Sequence, residues 1–231
     1  FLPGKNRATI LLLHGLGQSN QDTLLYAEFL AGAGFGIFMI DLRAHGSSDG
    51  DTSTNGLHEA DDVAGAVDYL LHRIDVDGQK IGALGISLGA QAALRGALKT
   101  ESVRALILEG LYPTVIRDQG DPHSIMQWLN YPGNWLFYKL YQFMRAGKDQ
   151  GVLEVIGRIS PRPILLIASG AQDIASNRLF YQAAQEPKEI WELPEGEQGA
   201  AILKNSHVYK QRVIEFFSRE LLSEPARQGI R

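Results

Sequence analysis

The chain contains no cysteine. Disulfides, thiolate metal sites and cysteine nucleophiles are therefore excluded, while the absence alone says little about compartment. Long apolar runs are missing too. The longest, Ile10–Leu13, Ile37–Ile40 and Ile164–Ala168, are far too short to cross a bilayer as a helix. There is no basic cluster and no interleaving of aromatics with Lys and Arg. With a net charge of −4, nothing in the sequence suggests a phosphate-backbone partner, so nucleic acid is not expected. No signal peptide, internal repeat or low-complexity tract is visible. The chain opens on Phe1 rather than Met, which leaves room for an upstream signal or anchor. The expected location is cytoplasmic by default, or membrane-anchored if such a segment has been removed.

What is present is ordinary globular material. The 231 residues, 45% hydrophobic and 21% charged, suffice for one full core, read here as a single domain over 1–231. Short aliphatic runs alternate with stretches of helical periodicity. Strands are expected near 8–14, 36–42, 80–86, 103–109, 162–168 and 188–193, and helices near 21–33, 57–73, 88–99, 176–185 and 206–222. Runs such as Thr9–Leu13 are apolar at consecutive positions, as parallel strands buried on both faces require. The fold class is therefore α/β, a mostly parallel sheet of about six strands flanked by helices.

One stretch breaks the alternation. Residues 111–157 hold Trp128, Tyr131, Trp135, Phe137, Tyr138, Tyr141 and Phe143, interrupted by Pro122 and Pro132. A simple crossover needs far fewer residues, so the preferred reading is an inserted helical cap over the sheet's carboxyl edge. The alternative is one long crossover helix packed on the sheet.

Gly85-Ile86-Ser87-Leu88-Gly89 follows the third strand and opens a helix-like run. A serine raised on a sharp strand-to-helix turn needs small neighbours, because a side chain at either glycine would clash across the turn. The helix behind it aims N–H groups at developing negative charge. The bare G-x-S-x-G pattern is common, but between a buried strand and a helix it becomes specific. His14-Gly15-Leu16-Gly17 closes the first strand, and Asp41-Leu42-Arg43-Ala44-His45-Gly46-Ser47-Ser48 closes the second.

Together these motifs make the chain resemble the α/β-hydrolase family over essentially its whole length. The resemblance implies a serine nucleophile at Ser87 and an oxyanion hole from the backbone N–H groups of Leu16 and Leu88. It gives His14 and His45 loop-bracing roles, since the family's base follows the nucleophile in sequence. The family's sheet usually begins with two further strands; only Phe1–Arg7 precede the first strand here, so either those strands have been removed or this is a minimal version. The segments Asn177-Arg178-Leu179-Phe180-Tyr181 and Glu186-Pro187-Lys188-Glu189 also look like a bacterial subgroup often tethered by an N-terminal membrane segment.

The resemblance places the acid after the strand that follows the cap, where Ser169-Gly170-Ala171-Gln172-Asp173 puts Asp173 at the family's G-x-x-D position. Glu109, ending the strand before the cap, is the reserve acid. The base should stand in the loop Pro194–Ala200, and measured back from Phe216 and Phe217 it falls on Gln198. An amide cannot act as a general base at neutral pH. His207 is the only histidine after Asp173 and alone preserves the Ser, Asp, His order, so it is the provisional base. Ser206 before it reads as a helix N-cap. His58, with Asp61 and Asp62, matches no metal spacing, and no metal or cofactor is expected. His123, inside the inserted segment, is a minor candidate for the pocket.

Two functions follow. The first is a serine hydrolase cleaving an ester or similar small acyl compound through an acyl-enzyme at Ser87. The second is a catalytically silent hydrolase-fold protein that binds a ligand or partner, favoured by Gln198 and opposed by the intact serine turn. Oligomeric state and substrate identity are not legible.

Overall fold

The structure is a computed structural model that describes residues 1–120, 125–144, 150–196, 198–199, 201–204 and 206–223. Six strands form one sheet: β1 (Thr9–Leu13), β2 (Gly36–Ile40), β3 (Ile81–Ile86), β4 (Val103–Glu109), β5 (Ile164–Ser169) and β6 (Lys188–Leu193). Their order is β2-β1-β3-β4-β5-β6, and every neighbouring pair is parallel. All six strands fall where the sequence places them, β1 and β5 on consecutive aliphatic residues and the edge strand β6 on the half-buried Lys188–Leu193.

The two faces of the sheet explain that sequence pattern. Leu11, Leu13, Ala83, Leu106, Leu108, Ile164 and Leu166 pack on one side. There they meet α2 (Glu59–Leu71), α3 (Leu88–Ala97) and α6 (Ala171–Ala183). Their sequence neighbours Ile10, Leu12, Leu84, Ala105, Ile107, Leu165 and Ile167 pack on the other. That face is covered by α1 (Leu24–Gly32) and α8 (Ser206–Leu222), the latter through Tyr209, Val213, Phe216, Phe217 and Leu221. Each fully buried aliphatic side chain contributes about 2 kcal/mol by leaving water.

Between β4 and β5 stand a 3-10 turn (Ile116–Gln119), α4 (Ile125–Met144), α5 (Val152–Val155) and a second 3-10 turn (Ile156–Ile159). α5 and the turn after it occupy the place of the crossover, burying Val152, Val155, Ile156 and Ile159 in the core. α4 is additional to that crossover. It leaves Ile125, Trp128, Leu129, Trp135, Leu136 and Leu140 exposed, which a helix packed along the sheet would bury. Pro132, expected to interrupt the segment, lies within α4. The excursion is tied at its base by Asp118. Its buried carboxylate accepts N–H groups from Thr114 and Val115 on the outgoing side and from Val152 and Leu153 on the return. His123 lies outside the described residues. No described helix is long and apolar enough to cross a membrane.

Two helix boundaries depart from expectation. α6 begins at Ala171, directly behind β5 and the positive-φ residue Gly170, rather than near 176. α8 is preceded by a short α7 (Ala201–Lys204), and Ser206, expected as an N-cap, is already its first helical residue.

Candidate active site

Ser87 stands at the end of β3 with φ 53° and ψ −109°, a conformation that a side-chain-bearing residue adopts only when its surroundings enforce it. The enforcement is visible. A Cβ on Gly85 would fall 2.2 Å from the carbonyl oxygen of Gly89, and one on Gly89 would fall 2.1 Å from that of Leu13. The turn is therefore packed against itself and against β1. Its own backbone holds it in place: the Ser87 N–H donates to the Glu109 carbonyl at 2.8 Å, while the Ser87 carbonyl accepts from Ala90 and Gln91 at 3.0 and 3.2 Å. The serine side chain is half-buried, and Leu88 opens α3 behind it.

The His14–Gly17 turn lies beside this elbow. Gly15 donates to Gln18 Oε1 at 2.8 Å, and Leu16 is exposed at the rim. His14 donates from Nδ1 to the Gly15 carbonyl at 2.8 Å and accepts the Leu42 N–H at Nε2, at 3.0 Å. Burial lowers its pKa, so the ring is a neutral brace. His45 points Nδ1 at the Arg43 carbonyl at 2.8 Å, and its ring centroid lies 5.1 Å from that of His14. His14 ties the two loops together by its hydrogen bond to Leu42, while His45 bonds within its own loop and meets the other through the His14 ring.

Asp173 occupies the first turn of α6 rather than an open loop. Its carboxylate accepts from the Ser169 N–H at 2.8 Å and from Asn177 Nδ2 at 2.8 Å. Asn177, which also donates to the Leu111 carbonyl, was not anticipated; its spacing of four residues from Asp173 on one helix face is the signal that was available. Burial pushes the Asp173 carboxyl up to about 6, against the pull of those two donors.

Gln198 stands where the base is expected. Its Nε2 donates to the Gly110 carbonyl at 2.8 Å, at the end of β4. With Asp173, Ser169 and Tyr112 it lines one pocket of about 370 Å³. The loop carrying it presses on its surroundings: a Cβ on Gly196 would lie 2.7 Å from that of Ser169, and one on Gly199 would lie 3.2 Å from Ile86 Cγ2. Along the sheet edge the order is thus Ser87 on β3, Gln198 over β4 and Asp173 beyond β5.

His207 is not brought into this row. It is exposed in the first turn of α8, two residues from the fully buried Tyr209. Residues two apart project from nearly opposite sides of a helix, so His207 faces away from the sheet. Glu109, the reserve acid, is committed elsewhere. Its carboxylate is enclosed beneath α7 and α8, accepting the Tyr209 O–H at 2.5 Å and the Ala201 N–H at 3.1 Å. Burial raises its pKa to about 7. It holds the end of the loop carrying Gln198 from below.

A larger cleft of about 910 Å³ lies between α2, α3 and α5, lined by His58, Asp61, Arg95, Lys99 and Arg158. None of the residues around Ser87 lines it, so size alone does not mark the site.

Residues 4–151, more than half of the chain, match a family model described as serine aminopeptidase, S33. The uncharacterised protein YqkD of Bacillus subtilis is 29% identical over 219 residues, covering 90% of this chain and 70% of that protein. YfhR of Escherichia coli is 29% identical over 217 residues, covering 90% and 69%. The Pyrococcus furiosus esterase Pf2001 superposes with a TM-score of 0.72 at 22% identity, over 93% of this chain and 82% of that one. At that identity the likeness establishes the α/β-hydrolase fold.

Proposed function

This chain belongs to the α/β-hydrolase family described as serine aminopeptidase, S33, and from that premise we propose that it is a serine hydrolase-fold protein whose Ser87 attacks a small ester or similar acyl compound. The observation that carries the reading is the backbone of Ser87, held at φ 53° by two glycines that admit no side chain. Such a strained turn persists where it is over-determined, and here it lifts a hydroxyl to the mouth of α3.

In this reading Ser87 Oγ bonds to the acyl carbon. The N–H groups of Leu16 and Leu88 receive the oxyanion, since the first-turn amides of α3 have no intrahelical partner. Asp173 stands ready to stabilise a cation at the base position. Gln198 fills that position and cannot take a proton, so proton transfer is the impaired step. This favours esters over amides: an alkoxide can depart with less help from an acid than an amine, which needs its proton returned before it leaves. The exposed aromatic α4 supports an apolar acyl substrate.

The test is intact-mass spectrometry after exposure to a fluorophosphonate, with Ser87→Ala as control. The expected result is a single adduct absent from the variant. A chain that stays unlabelled both as it is and as Gln198→His would remove Ser87 as a nucleophile. Gln198 supports one second reading, a silent protein that binds an acyl ligand without turnover; saturable binding with no adduct would establish it.

A further inference from the structure

The carboxyl ends of β3, β4 and β5 carry Ser87, the Glu109–Gly110 bend and Ser169 with Asp173, in that order. Neighbouring strands lie about 4.8 Å apart, so a group the size of an imidazole placed over β4 reaches both neighbours. Gln198 stands there on one hydrogen bond to the Gly110 carbonyl, with its side chain exposed. Beside it opens the pocket of about 370 Å³.

Several features of this pocket are left unmatched by the chain itself. Asp173 receives two neutral donors, the Ser169 N–H and the Asn177 amide. No lysine, arginine or histidine is among the described residues lining the pocket. Ser169 lines it too and is 3% exposed, and its buried hydroxyl has no hydrogen-bond partner among the described residues. A buried carboxylate facing a cavity without a cation, next to an unpaired hydroxyl, is complementary to a small group that carries N–H and becomes positive.

We infer that this pocket, together with the Gln198 position beside it, takes a small nitrogen base from outside the chain, an imidazole or amine, which stands in for the absent histidine and accepts the Ser87 proton where the Gln198 side chain gives way, since Ser87 itself is not among the described residues lining the pocket. The inference rests on the reading of Ser87 as a nucleophile. The neutral nitrogen takes the proton from Ser87 Oγ as Oγ bonds to the acyl carbon. The cation so formed pairs with Asp173 and returns the proton to the departing alkoxide as the C–O bond breaks. Acyl-Ser87 and a free alcohol result. The base comes either from solution or from the substrate itself. When it is part of the leaving alcohol, it departs after acylation, and acyl-Ser87 accumulates.

The test follows the rate of fluorophosphonate labelling of Ser87 by intact mass over a titration of imidazole. Imidazole is expected to accelerate labelling about tenfold or more, with saturation, and further in Gln198→Ala, where the position is open. The gain is expected to vanish in Asp173→Asn and in Ser176→Trp, which fills the pocket from its rim. For a substrate-borne base, 2-(dimethylamino)ethyl acetate is expected to acetylate Ser87. The 3-methylbutyl ester, with carbon in place of nitrogen, is expected not to. No effect of imidazole and no difference between the esters, with Gln198→His labelling freely, overturns the inference and leaves Ser87 a nucleophile. Acceleration that is linear in imidazole and unchanged in both pocket variants places the base elsewhere and also overturns it. Failure of Gln198→His to label overturns the reading of Ser87 itself.

Discussion

The phenol of Tyr209 donates to Glu109 Oε2 at 2.5 Å across 100 residues of chain, inside a fully buried contact. Burial raises the Glu109 carboxyl from 4.5 to about 7 and the Asp173 carboxyl from 3.8 to about 6. Between those values the folded protein keeps protons that the unfolded chain releases, so stability falls as pH rises through the window. For Glu109 the loss by pH 8 is on the order of 3 kcal/mol. Glu59, held below its ordinary value by donors from Thr54 and Ser53 that outweigh its burial, acts in the opposite sense and weakens the fold at low pH. The expected Tm is therefore highest near pH 5 and declines towards pH 8. Glu109→Gln removes the larger part of that decline, because the amide still pairs Ala201 and lets Tyr209 accept. A Tm that rises from pH 5 to 8 would contradict the burial argument.

The elbow makes a second prediction. Gly85→Ala and Gly89→Ala each place a methyl within about 2.2 Å of a backbone carbonyl oxygen. Backbone cannot yield as a side-chain tip does, so each is expected to cost about 3 kcal/mol or more and to abolish Ser87 labelling. Gly32→Ala, in α1 with nothing within 4 Å of the new methyl, is the matched control. It should stabilise by about 0.5 kcal/mol in urea unfolding. Equal stabilities across the three would mean that the turn is not close-packed.

How much of this was legible in the sequence differs by element. The strands were readable because residues such as Ile10 and Leu11 serve opposite faces of the sheet, and only parallel burial demands consecutive aliphatics. Ser87 was readable because the glycines around it have a steric cause. Gln198 was assigned by counting back from Phe216 and Phe217, side chains that anchor α8 in the core. The provisional base His207 rested on sequence order alone, and order does not say which side of a helix faces the sheet. The role of Glu109 depended on a partner 100 residues away, which no local pattern encodes. The early start of α6 was hidden because its first turn, Ala171-Gln172-Asp173, carries little apolar periodicity.

Asp118 carries a third prediction. Its carboxylate gathers the N–H groups of Thr114, Val115, Val152 and Leu153 where the α4 excursion leaves and rejoins the fold. Asp118→Ala strands those donors and is expected to cost about 3–5 kcal/mol. Asp118→Asn, which keeps one acceptor oxygen, should fall between. Amide exchange at residues 114–115 and 152–153 should quicken in Asp118→Ala while the β3 amides stay protected. Uniform acceleration across β3 would show that the carboxylate supports the whole domain rather than the base of the excursion.

The last prediction concerns Gln198→His. The glutamine lies over β4 with Asp173 in the same pocket and with Gly199 packed against Ile86, the residue before Ser87. An imidazole there would stand between Ser87 and a carboxylate that has no cation of its own among the residues lining the pocket. It should raise the labelling rate of Ser87 about a hundredfold or more, the usual contribution of a positioned general base. Only the neutral ring accepts a proton, so the gain should appear as pH rises through the histidine's pKa, near 6.5 or above once Asp173 is ionised beside it. His207→Ala in the unaltered chain should leave labelling unchanged, since that ring points away from the sheet. If instead Gln198→His keeps its Tm but labels no faster, while His207→Ala silences the protein, the loop must rearrange to bring His207 to Ser87. The row of Ser87, Gln198 and Asp173 would then not be the line along which the proton moves.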